Sequence, residues 1–294
     1  MSQPVTIITG ANSGIGRSTA LHLAGQGHRV FGTMRSLDKG EKLAQLAGEA
    51  GVEVTPVVLD VTDDDQVAEG FAAVIEQAGR VDVLVNNAGI GQNAAIEDVD
   101  IQAGKDLFDI NVWGTVRCAQ AVLPTMRSQG SGHIVQVSSI AGRTGIMGQP
   151  VYCASKWALE GMSENMAHDL AAHGIRVSII EPGVTRTAIL GKNPDFPEGS
   201  AYNGAYGRMF DIYATGIVAN IRAEAVAETI QEAIEAPVGR LRWPVAWGAE
   251  QMWQGRPFTD AELVELGELA EDGPAWRRRF AELYGLELVS AGLD

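Results

Sequence analysis

The sequence contains very little cysteine. Cys118 and Cys153 are the only two in 294 residues, too few for a disulfide framework. No group of cysteines and histidines has the spacing of zinc ligands, so we expect no metal site. A chain that folds without disulfides suits a reducing compartment, and we therefore expect a cytoplasmic protein.

Positive charge is also scarce. The chain has 22 Lys and Arg against 37 Asp and Glu, a formal net charge of −15. Nucleic-acid binding requires a basic surface, so this balance argues against a nucleic-acid partner. No apolar run approaches the length of a membrane span. A strand is predicted from Val5 onwards, so we expect no signal peptide.

Glycine is abundant, with 35 residues, and the chain is long enough for one large α/β domain. Short apolar segments alternate with helical patterns, which predicts a Rossmann-type, doubly wound parallel sheet of about seven strands. Pro244 lies in the last predicted strand and indicates a sheet edge. The predicted strands cover residues 5–9, 28–34, 52–59, 81–85, 133–137, 175–180 and 241–247.

A glycine-rich turn follows the first predicted strand and leads into a helix that ends near Gly25. Its residues include Gly10, Asn12, Ser13, Gly14, Ile15 and Gly16. Glycines let the backbone approach a pyrophosphate, and a helix N-terminus supplies free N–H groups and a partial positive charge. This context predicts a dinucleotide site.

The second predicted strand ends at Met34 and Arg35. Rossmann folds that bind NAD usually have an acidic residue about 20 positions after the glycines. An arginine at this position suits the 2′-phosphate of NADP, and Arg17 could assist it. We therefore expect NADP(H) rather than NAD(H). The alternative is that Arg35 is a solvated loop residue.

A helix is predicted from Pro150 to about Ala172, and it places Tyr152 and Lys156 on one face. An ammonium group near a phenol favours the phenolate, so we expect the pKa of Tyr152 to fall. Such a phenol can act as a general acid or base. Taken alone, the pair is more typical of an exposed helix face.

The region 188–220 holds several prolines, glycines and aromatic residues, and we interpret it as a long substrate loop. A satellite packing cluster is the alternative. Two short helices are predicted after it, one from Thr259 with a capping box to Glu262 and one near Pro274. We divide the chain into a catalytic domain, 1–250, and a helical C-terminal extension, 251–294.

Residues 4–247 resemble the short-chain dehydrogenase/reductase family. The resemblance rests on the glycine turn and on six later motifs in order: Asp60-Val61, Asn86-Asn87-Ala88-Gly89, Asn111, Ser139, Tyr152-x-x-x-Lys156 and Pro182-Gly183. The segments 151–161 and 108–115 are most similar to the hydroxysteroid and retinol dehydrogenase branch.

The resemblance implies a role for each matching residue. Tyr152 is implied as the general acid/base, Lys156 as its cationic partner, Ser139 as the group that orients the reacting oxygen, and Asn111 as part of a proton relay. Ser138 fits the serine position less well. Coenzyme contacts are implied for the turn and Arg35, for Tyr152 and Lys156, and for Asp60, Val61, Asn87, Ala88, Gly89, Pro182, Gly183, Val184 and Thr187.

These residues predict an NADP-dependent oxidoreductase that interconverts a hydrophobic ketone or aldehyde and its alcohol. Two alternatives remain: an enzyme similar to nucleotide-sugar epimerases and dehydratases, or a non-catalytic protein that senses NADP(H). By position, Ile146, Met147 and Gln149 are expected in the substrate wall. The family further implies a homodimer or homotetramer, formed through the helices that hold Asn111 and Tyr152.

Overall fold

Seven strands form one parallel sheet at the centre of the protein. The computed structural model describes residues 3–187, 197, 199–237, 239–254 and 259–293. The strands are β1 (Val5–Ile8), β2 (Arg29–Met34), β3 (Val54–Val58), β4 (Val83–Asn86), β5 (Gly132–Val137), β6 (Ile175–Pro182) and β7 (Arg242–Val245). Their order is β3-β2-β1-β4-β5-β6-β7, and every neighbouring pair is parallel. The predicted sheet is confirmed, and Pro244 does lie on an edge strand.

Helices cover both faces of the sheet. They are α1 (Gly14–Gly25), α2 (Glu41–Ala50), α3 (Asp64–Ala78), α4 (Ile101–Phe108), α5 (Gly114–Gln129), α6 (Pro150–Ala171), α7 (Asn203–Ala219), α8 (Ala223–Glu235), α9 (Ala249–Gln254), α10 (Asp260–Glu268) and α11 (Gly273–Tyr284). None of those within the described ranges is long and apolar enough to cross a membrane.

The sheet separates two apolar cores because its central strands are buried on both sides. Phe71 of α3 and Met126 of α5 pack in the core on one face. Leu23 of α1 and Ile230 of α8 pack in the core on the other. Strand order reverses between β1 and β4, so the connections after these strands run to opposite faces. In such sheets the crevice at the carboxyl ends of the strands at this reversal is where ligands bind.

The sequence favours helix without interruption from about Asp98 to Ser128, but the structure divides this stretch with a π-helical segment. Asp109–Trp113 forms this segment, between α4 and α5. A Cβ atom on Gly114 would lie 2.9 Å from Val61 Cγ2, so a glycine is needed where α5 passes the end of the sheet. The bend places Asn111 in the fold interior, with 1% of its surface exposed.

The interpretation of residues 188–220 as one long loop is wrong for residues 203–219, which form α7. Glycines lower helix propensity and so conceal this helix in the sequence. They are needed because α7 passes very close to its neighbours. A Cβ on Gly216 would lie 2.2 Å from Val184 Cβ, and one on Gly207 would lie 3.0 Å from the Leu293 carbonyl oxygen. Residues 188–196 and 198 lie outside the described part.

The C-terminal helices pack against the carboxyl-end side of the sheet. The predicted capping box between Thr259 and Glu262 is present at the start of α10. On α11, Trp276, Phe280 and Tyr284 lie on one helix face, with ring centroids 4.9 Å and 4.5 Å apart in turn. They form one cluster with Met252 and two further apolar residues, Ile140 and Ile212. The predicted boundary after residue 250 falls inside α9, and the division into two parts stays a prediction.

Candidate active site

A cavity of about 300 Å³ opens at the carboxyl ends of the strands. Residues that follow six strands contribute to its wall. They are Gly10 after β1, Arg35 after β2, Asp60 after β3, Asn87 after β4, Ser139 after β5 and Gly183 after β6. The motifs found separately in the sequence therefore meet in one place, as the parallel sheet requires.

The glycine turn between β1 and α1 forms one wall of the cavity. Gly10 and Gly14 have φ angles of +66° and +53°, which side chains with a Cβ rarely adopt. The Ser13 side chain makes no capping hydrogen bond at the start of α1, so it does not occupy the first N–H groups of that helix. Asn12, Ser13 and Ile15 also line the cavity.

Gly16 and Arg17 lie behind this wall. A Cβ on Gly16 would lie 2.4 Å from Asn87 Nδ2 and 2.5 Å from the Gly10 carbonyl oxygen. Gly16 is thus needed for the close packing of the turn, as Rossmann folds require of their last glycine. Arg17 Nη1 donates to the Asn12 carbonyl oxygen at 3.5 Å and therefore holds the turn.

Thr9, which directly precedes the glycine turn, joins the turns after β1 and β4. Its hydroxyl oxygen accepts from Asn87 N at 2.9 Å and from Ala88 N at 3.0 Å. The Asn87 side chain donates back to the Thr9 carbonyl oxygen at 2.9 Å. These bonds fix Asn87, Ala88 and Gly89 in the cavity wall.

Two basic side chains lie at one end of the cavity. Arg35 follows β2, and Lys39 lies in the 3₁₀ turn Leu37–Gly40. Lys39 was missed because the sequence does not show that this turn brings its side chain to the cavity wall. The pair gives this end a positive charge of the kind that phosphate groups prefer.

The end of β3 supplies Asp60 and Val61 to the same cavity. Asp60 Oδ1 accepts from Thr62 N at 3.0 Å and from Thr62 Oγ1 at 2.8 Å. This Asx turn fixes the carboxylate at the mouth of the cavity.

Tyr152, Ser139 and Lys156 are brought together beyond the glycine turn. Tyr152 and Ser139 share a side-chain hydrogen bond. The Ser139 hydroxyl also accepts from Ala141 N at 3.1 Å, which caps a 3₁₀ turn. Lys156 Nζ donates to the Val137 carbonyl oxygen at 3.0 Å and lies 5.9 Å from the centroid of the Tyr152 ring.

The expected fall in the pKa of Tyr152 is wrong for this structure. Burial raises the pKa of Tyr152 to about 12, because the phenolate would lose its hydration, and the hydrogen bond from Ser139 offsets only part of this. Burial also lowers the pKa of Lys156 to about 8. Shared placement on one helix face predicted an attraction between the two groups, but it could not show that both are desolvated.

Asn111 lies behind the cavity wall and fixes two neighbouring elements. Its Nδ2 donates to the Ile90 carbonyl oxygen at 2.9 Å and to Ser155 Oγ at 3.2 Å. Its Oδ1 accepts from Ile90 N at 2.9 Å. Asn111 thus joins the turn after β4 to α6, one residue before Lys156.

The end of β6 and the segment after it form a further part of the cavity wall. Pro182, Gly183, Val184 and Thr187 line the cavity. A Cβ on Gly183 would lie 2.0 Å from the Trp247 carbonyl oxygen, so only glycine fits there. A Cβ on Gly14 would lie 3.4 Å from Thr187 Cβ, which shows how closely the two walls approach.

The far end of the cavity is mostly apolar. Of the three wall residues expected from sequence, Ile146 and Gln149 line it, whereas Met147 packs behind them in the C-terminal cluster. Asn93 and Met252 of this wall were missed, whereas Ile212 and Tyr213 lie in the region 188–220 that the sequence assigned to the substrate. No short motif marks them, because α7 and the C-terminal helices bring most of them there from distant parts of the chain.

A buried pair of carboxyl groups, Glu160 and Glu181, lies one helical turn beyond Lys156. Arg242 Nε lies 3.1 Å from Glu160 Oε2 and 3.4 Å from Glu181 Oε1. Arg143 Nε lies 3.8 Å from Glu181 Oε1. Burial and the neighbouring Glu160 raise the pKa of Glu181 to about 8. The described residues contain no group of three or more potential metal ligands.

Comparison with known proteins adds independent information. A family model described as short chain dehydrogenase matches residues 4–197. Retinol dehydrogenase 8 from Bos taurus is 43% identical over 190 residues, which cover 63% of this chain and 60% of that protein. The 17-beta-hydroxysteroid dehydrogenase type 1 from Homo sapiens is 36% identical over 256 residues, which cover 83% of this chain and 77% of that protein.

Solved structures show the same architecture. A short-chain dehydrogenase from Streptomyces avermitilis has a TM-score of 0.79 and 34% identity, over 94% of this chain and 98% of that chain. A variant of actinorhodin polyketide ketoreductase with NADPH has a TM-score of 0.73 and 30% identity, over 84% of this chain and 97% of that chain. A short chain dehydrogenase/reductase from Burkholderia phymatum in complex with NAD has a TM-score of 0.72 and 27% identity, over 82% of this chain and 88% of that chain.

Proposed function

The chain belongs to the short-chain dehydrogenase/reductase family, and we propose that it is an NADP-dependent oxidoreductase that interconverts a hydrophobic ketone or aldehyde and its alcohol. The observation that carries this proposal is the convergence of Ser139, Tyr152 and Lys156 on a cavity whose wall includes a glycine turn at a helix N-terminus. The resemblance to hydroxysteroid and retinol dehydrogenases supports the same reaction class.

The residues around the cavity fit a nicotinamide dinucleotide. The backbone of Gly10 to Ile15 would hold the pyrophosphate, since positive φ angles and helix N–H groups suit an anion there. Arg35 and Lys39 would hold a 2′-phosphate, which favours NADP(H) over NAD(H). Three further groups of contacts would hold the adenosine and the nicotinamide ribose: Asp60 and Val61; Asn87, Ala88 and Gly89; and Tyr152, Lys156, Pro182, Gly183, Val184 and Thr187.

When bound, the coenzyme supplies or accepts the hydride. The protein manages one proton. In reduction, the Tyr152 hydroxyl donates its proton to the carbonyl oxygen as negative charge grows there, and Ser139 donates a hydrogen bond to the same oxygen. The raised pKa of Tyr152 keeps that proton on the phenol at neutral pH. Lys156 supplies positive charge beside the developing phenolate.

Asn111 has a positioning role in this proposal. Its side chain bonds to Ile90 and Ser155, so it fixes the register between the turn after β4 and α6. That register sets the position of α6, and with it Tyr152 and Lys156, relative to the turn after β4. The proton relay implied for Asn111 by the family resemblance is retained as part of the proposal.

The two alternatives are less well supported. A non-catalytic sensor would not need Ser139, Tyr152 and Lys156 to meet in one cavity, as they do here. An epimerase or dehydratase is not favoured, because the relatives compared above carry the names of dehydrogenases and reductases. Assembly as a homodimer or homotetramer through the helices around Asn111 and Tyr152 also remains a proposal.

The test is consumption of NADPH, with NADH alongside, over a panel of steroid, retinoid, aliphatic and aromatic carbonyl compounds. Tyr152→Phe is the matched control, because it removes only the hydroxyl. We expect turnover by the natural sequence, none by the variant, and similar NADPH binding in both. Equal turnover in the variant would remove Tyr152 as the acid, and no turnover with tight NADPH binding would favour the sensor.

A further inference from the structure

A short chain of polar side chains crosses the otherwise apolar far end of the cavity. It consists of Asn93 after β4, Gln149 just before α6, and Tyr213 on α7. Gln149 is only 4% exposed. The surrounding lining residues at this end are apolar: Ile140, Ile146, Ile212 and Met252. Polar groups in such a place are typically the ones that orient a ligand.

The hydrogen bonds of this chain leave one donor directed away from it. Gln149 Nε2 donates to Asn93 Oδ1 at 2.9 Å and to the Tyr213 hydroxyl oxygen at 2.6 Å. Both hydrogens of the Gln149 amide are therefore used. The Tyr213 hydroxyl accepts one bond and keeps its own proton for donation. Because Tyr213 lines the cavity, a bound molecule can receive that proton in a hydrogen bond.

Two further observations place this donor near the reacting group and keep it neutral. The Tyr213 ring is held edge-on by Phe210, with centroids 6.1 Å apart and an interplanar angle of 80°. Burial raises the pKa of Tyr213, and the nearby Tyr152 raises it further. Tyr213 is thus a fixed, uncharged donor in the same cavity as Tyr152 and close enough to it to interact. A neutral donor suits a hydroxyl or keto oxygen better than it suits groups that require a cation.

We propose that Tyr213 donates a hydrogen bond to a second, neutral oxygen of the substrate, so that the preferred substrates are hydroxy-ketones and diketones with that oxygen close to the reacting carbonyl. Gln149, fixed by Asn93, positions the Tyr213 hydroxyl for this contact. The inference rests on the proposed function and adds a substrate class to it. Without the second oxygen, the buried hydroxyl has no partner for its proton once the substrate displaces water from this part of the cavity.

The experiment compares Tyr213→Phe with the natural sequence on matched pairs of ketones. The pairs are butanone and acetoin, phenylacetone and phenylacetylcarbinol, and androsterone with and without a hydroxyl on the carbon next to its ketone. Within each pair, kcat/KM is measured with NADPH. We expect the natural sequence to favour the oxygenated member and Tyr213→Phe to lose about tenfold more on that member than on the plain ketone. Comparing ratios cancels the intrinsic reactivity of each carbonyl.

Tyr202→Phe is the matched control. Its hydroxyl donates to Glu97 at 2.9 Å, and Tyr202 lies outside the cavity wall, so its ratios should equal those of the natural sequence. Calorimetric titration of the ketones into protein loaded with oxidised coenzyme gives a second readout that needs no turnover. Equal losses by Tyr213→Phe on both members of the pairs would overturn this inference and leave the proposed function intact. Absence of turnover by the natural sequence on all pairs would instead count against the proposed function.

Discussion

The ammonium nitrogen of Lys156 lies over the ring of Tyr152, 5.9 Å from its centroid. Both side chains are on α6, and both have pKa values moved by burial towards their uncharged forms. Burying the charged form of Lys156 costs free energy, which lowers the free energy of unfolding of the whole protein. The role proposed for Lys156 therefore has a consequence for stability as well as for activity.

Lys156→Met should flatten the dependence of stability on pH in the alkaline range. The pKa of Lys156 is lowered from 10.5 to about 8 by folding, so between these values the unfolded chain binds a proton that the native protein has released. The free energy of unfolding then rises with pH, by about 3 kcal/mol in total from this group. The variant should lack this rise. Urea unfolding at several pH values measures it.

The control for this prediction is Lys42→Met, because Lys42 is exposed and bonds only to Gln45 among the contacts described for it. Lys42→Met should show the same rise in the free energy of unfolding with pH as the natural sequence. The same slope in Lys156→Met would contradict the assignment of a lowered pKa to this side chain. Lys156→Met should also lose turnover, since the charge beside Tyr152 is removed.

Arg35→Ala and Lys39→Ala should each weaken the binding of NADPH far more than the binding of NADH. A charge-assisted hydrogen bond to a 2′-phosphate is worth about 1.5–3 kcal/mol, so each change should raise the Kd of NADPH by about 10- to 100-fold. NADH lacks that phosphate and should change by less than about twofold. Fluorescence titration of both coenzymes measures this. Lys42→Ala is the control, and equal losses for the two coenzymes would exclude the phosphate role.

The natural sequence should lose stability as pH rises from acid to neutral, and Glu181→Gln should abolish this loss. The pKa of Glu181 is raised from 4.5 to about 8, so the native protein keeps a proton that the unfolded chain releases across this window. The free energy of unfolding therefore falls as pH rises, by about 1.4 kcal/mol per pH unit at most. The variant is neutral at every pH and should be more stable than the natural sequence near pH 8.

Glu164→Gln is the matched control for Glu181, because Glu164 also pairs with Arg242 but its side chain is 52% exposed. Glu164→Gln should change the dependence of stability on pH only slightly, as is typical when an exposed ion pair is removed. Thermal unfolding from pH 5 to pH 8 compares the three proteins. A Glu181→Gln curve parallel to that of the natural sequence would show that Glu181 is ionised throughout the window.

Trp276→Ala should destabilise the C-terminal helices and impair substrate binding without affecting the coenzyme. Trp276 is 2% exposed and packs in one cluster with Met252 and Ile212, which line the cavity. Truncation should cost about 3–5 kcal/mol. We expect a higher KM for the carbonyl substrate and an unchanged Kd for NADPH, since the glycine turn is at the other end of the cavity.

The control for Trp276 is Leu263→Ala on α10, because Leu263 is 48% exposed. It should leave both the KM and the midpoint of thermal unfolding close to those of the natural sequence. If Trp276→Ala lowers stability but leaves the substrate KM unchanged, the C-terminal helices support the fold without shaping the cavity.

The sequence alone determined the sheet and the position of most of the site. Local patterns gave these results: buried apolar strands, the glycine turn, and side chains that follow each strand, such as Arg35, Asp60 and Ser139. Because the strands are parallel, their carboxyl ends must meet, and no long-range contact is needed to predict it. The capping box at Thr259 was visible for the same reason, since its signal lies within a few residues.

Only the tertiary structure decided what lies beside these motifs. It showed that α7 is a helix despite its glycines, because each close approach is made by a segment distant in sequence, such as Val184 beside Gly216. It placed Lys39, Tyr213 and Met252 in the cavity wall. It also reversed the expected direction of the Tyr152 pKa shift, because desolvation depends on everything that packs around a group and not on its neighbours along a helix.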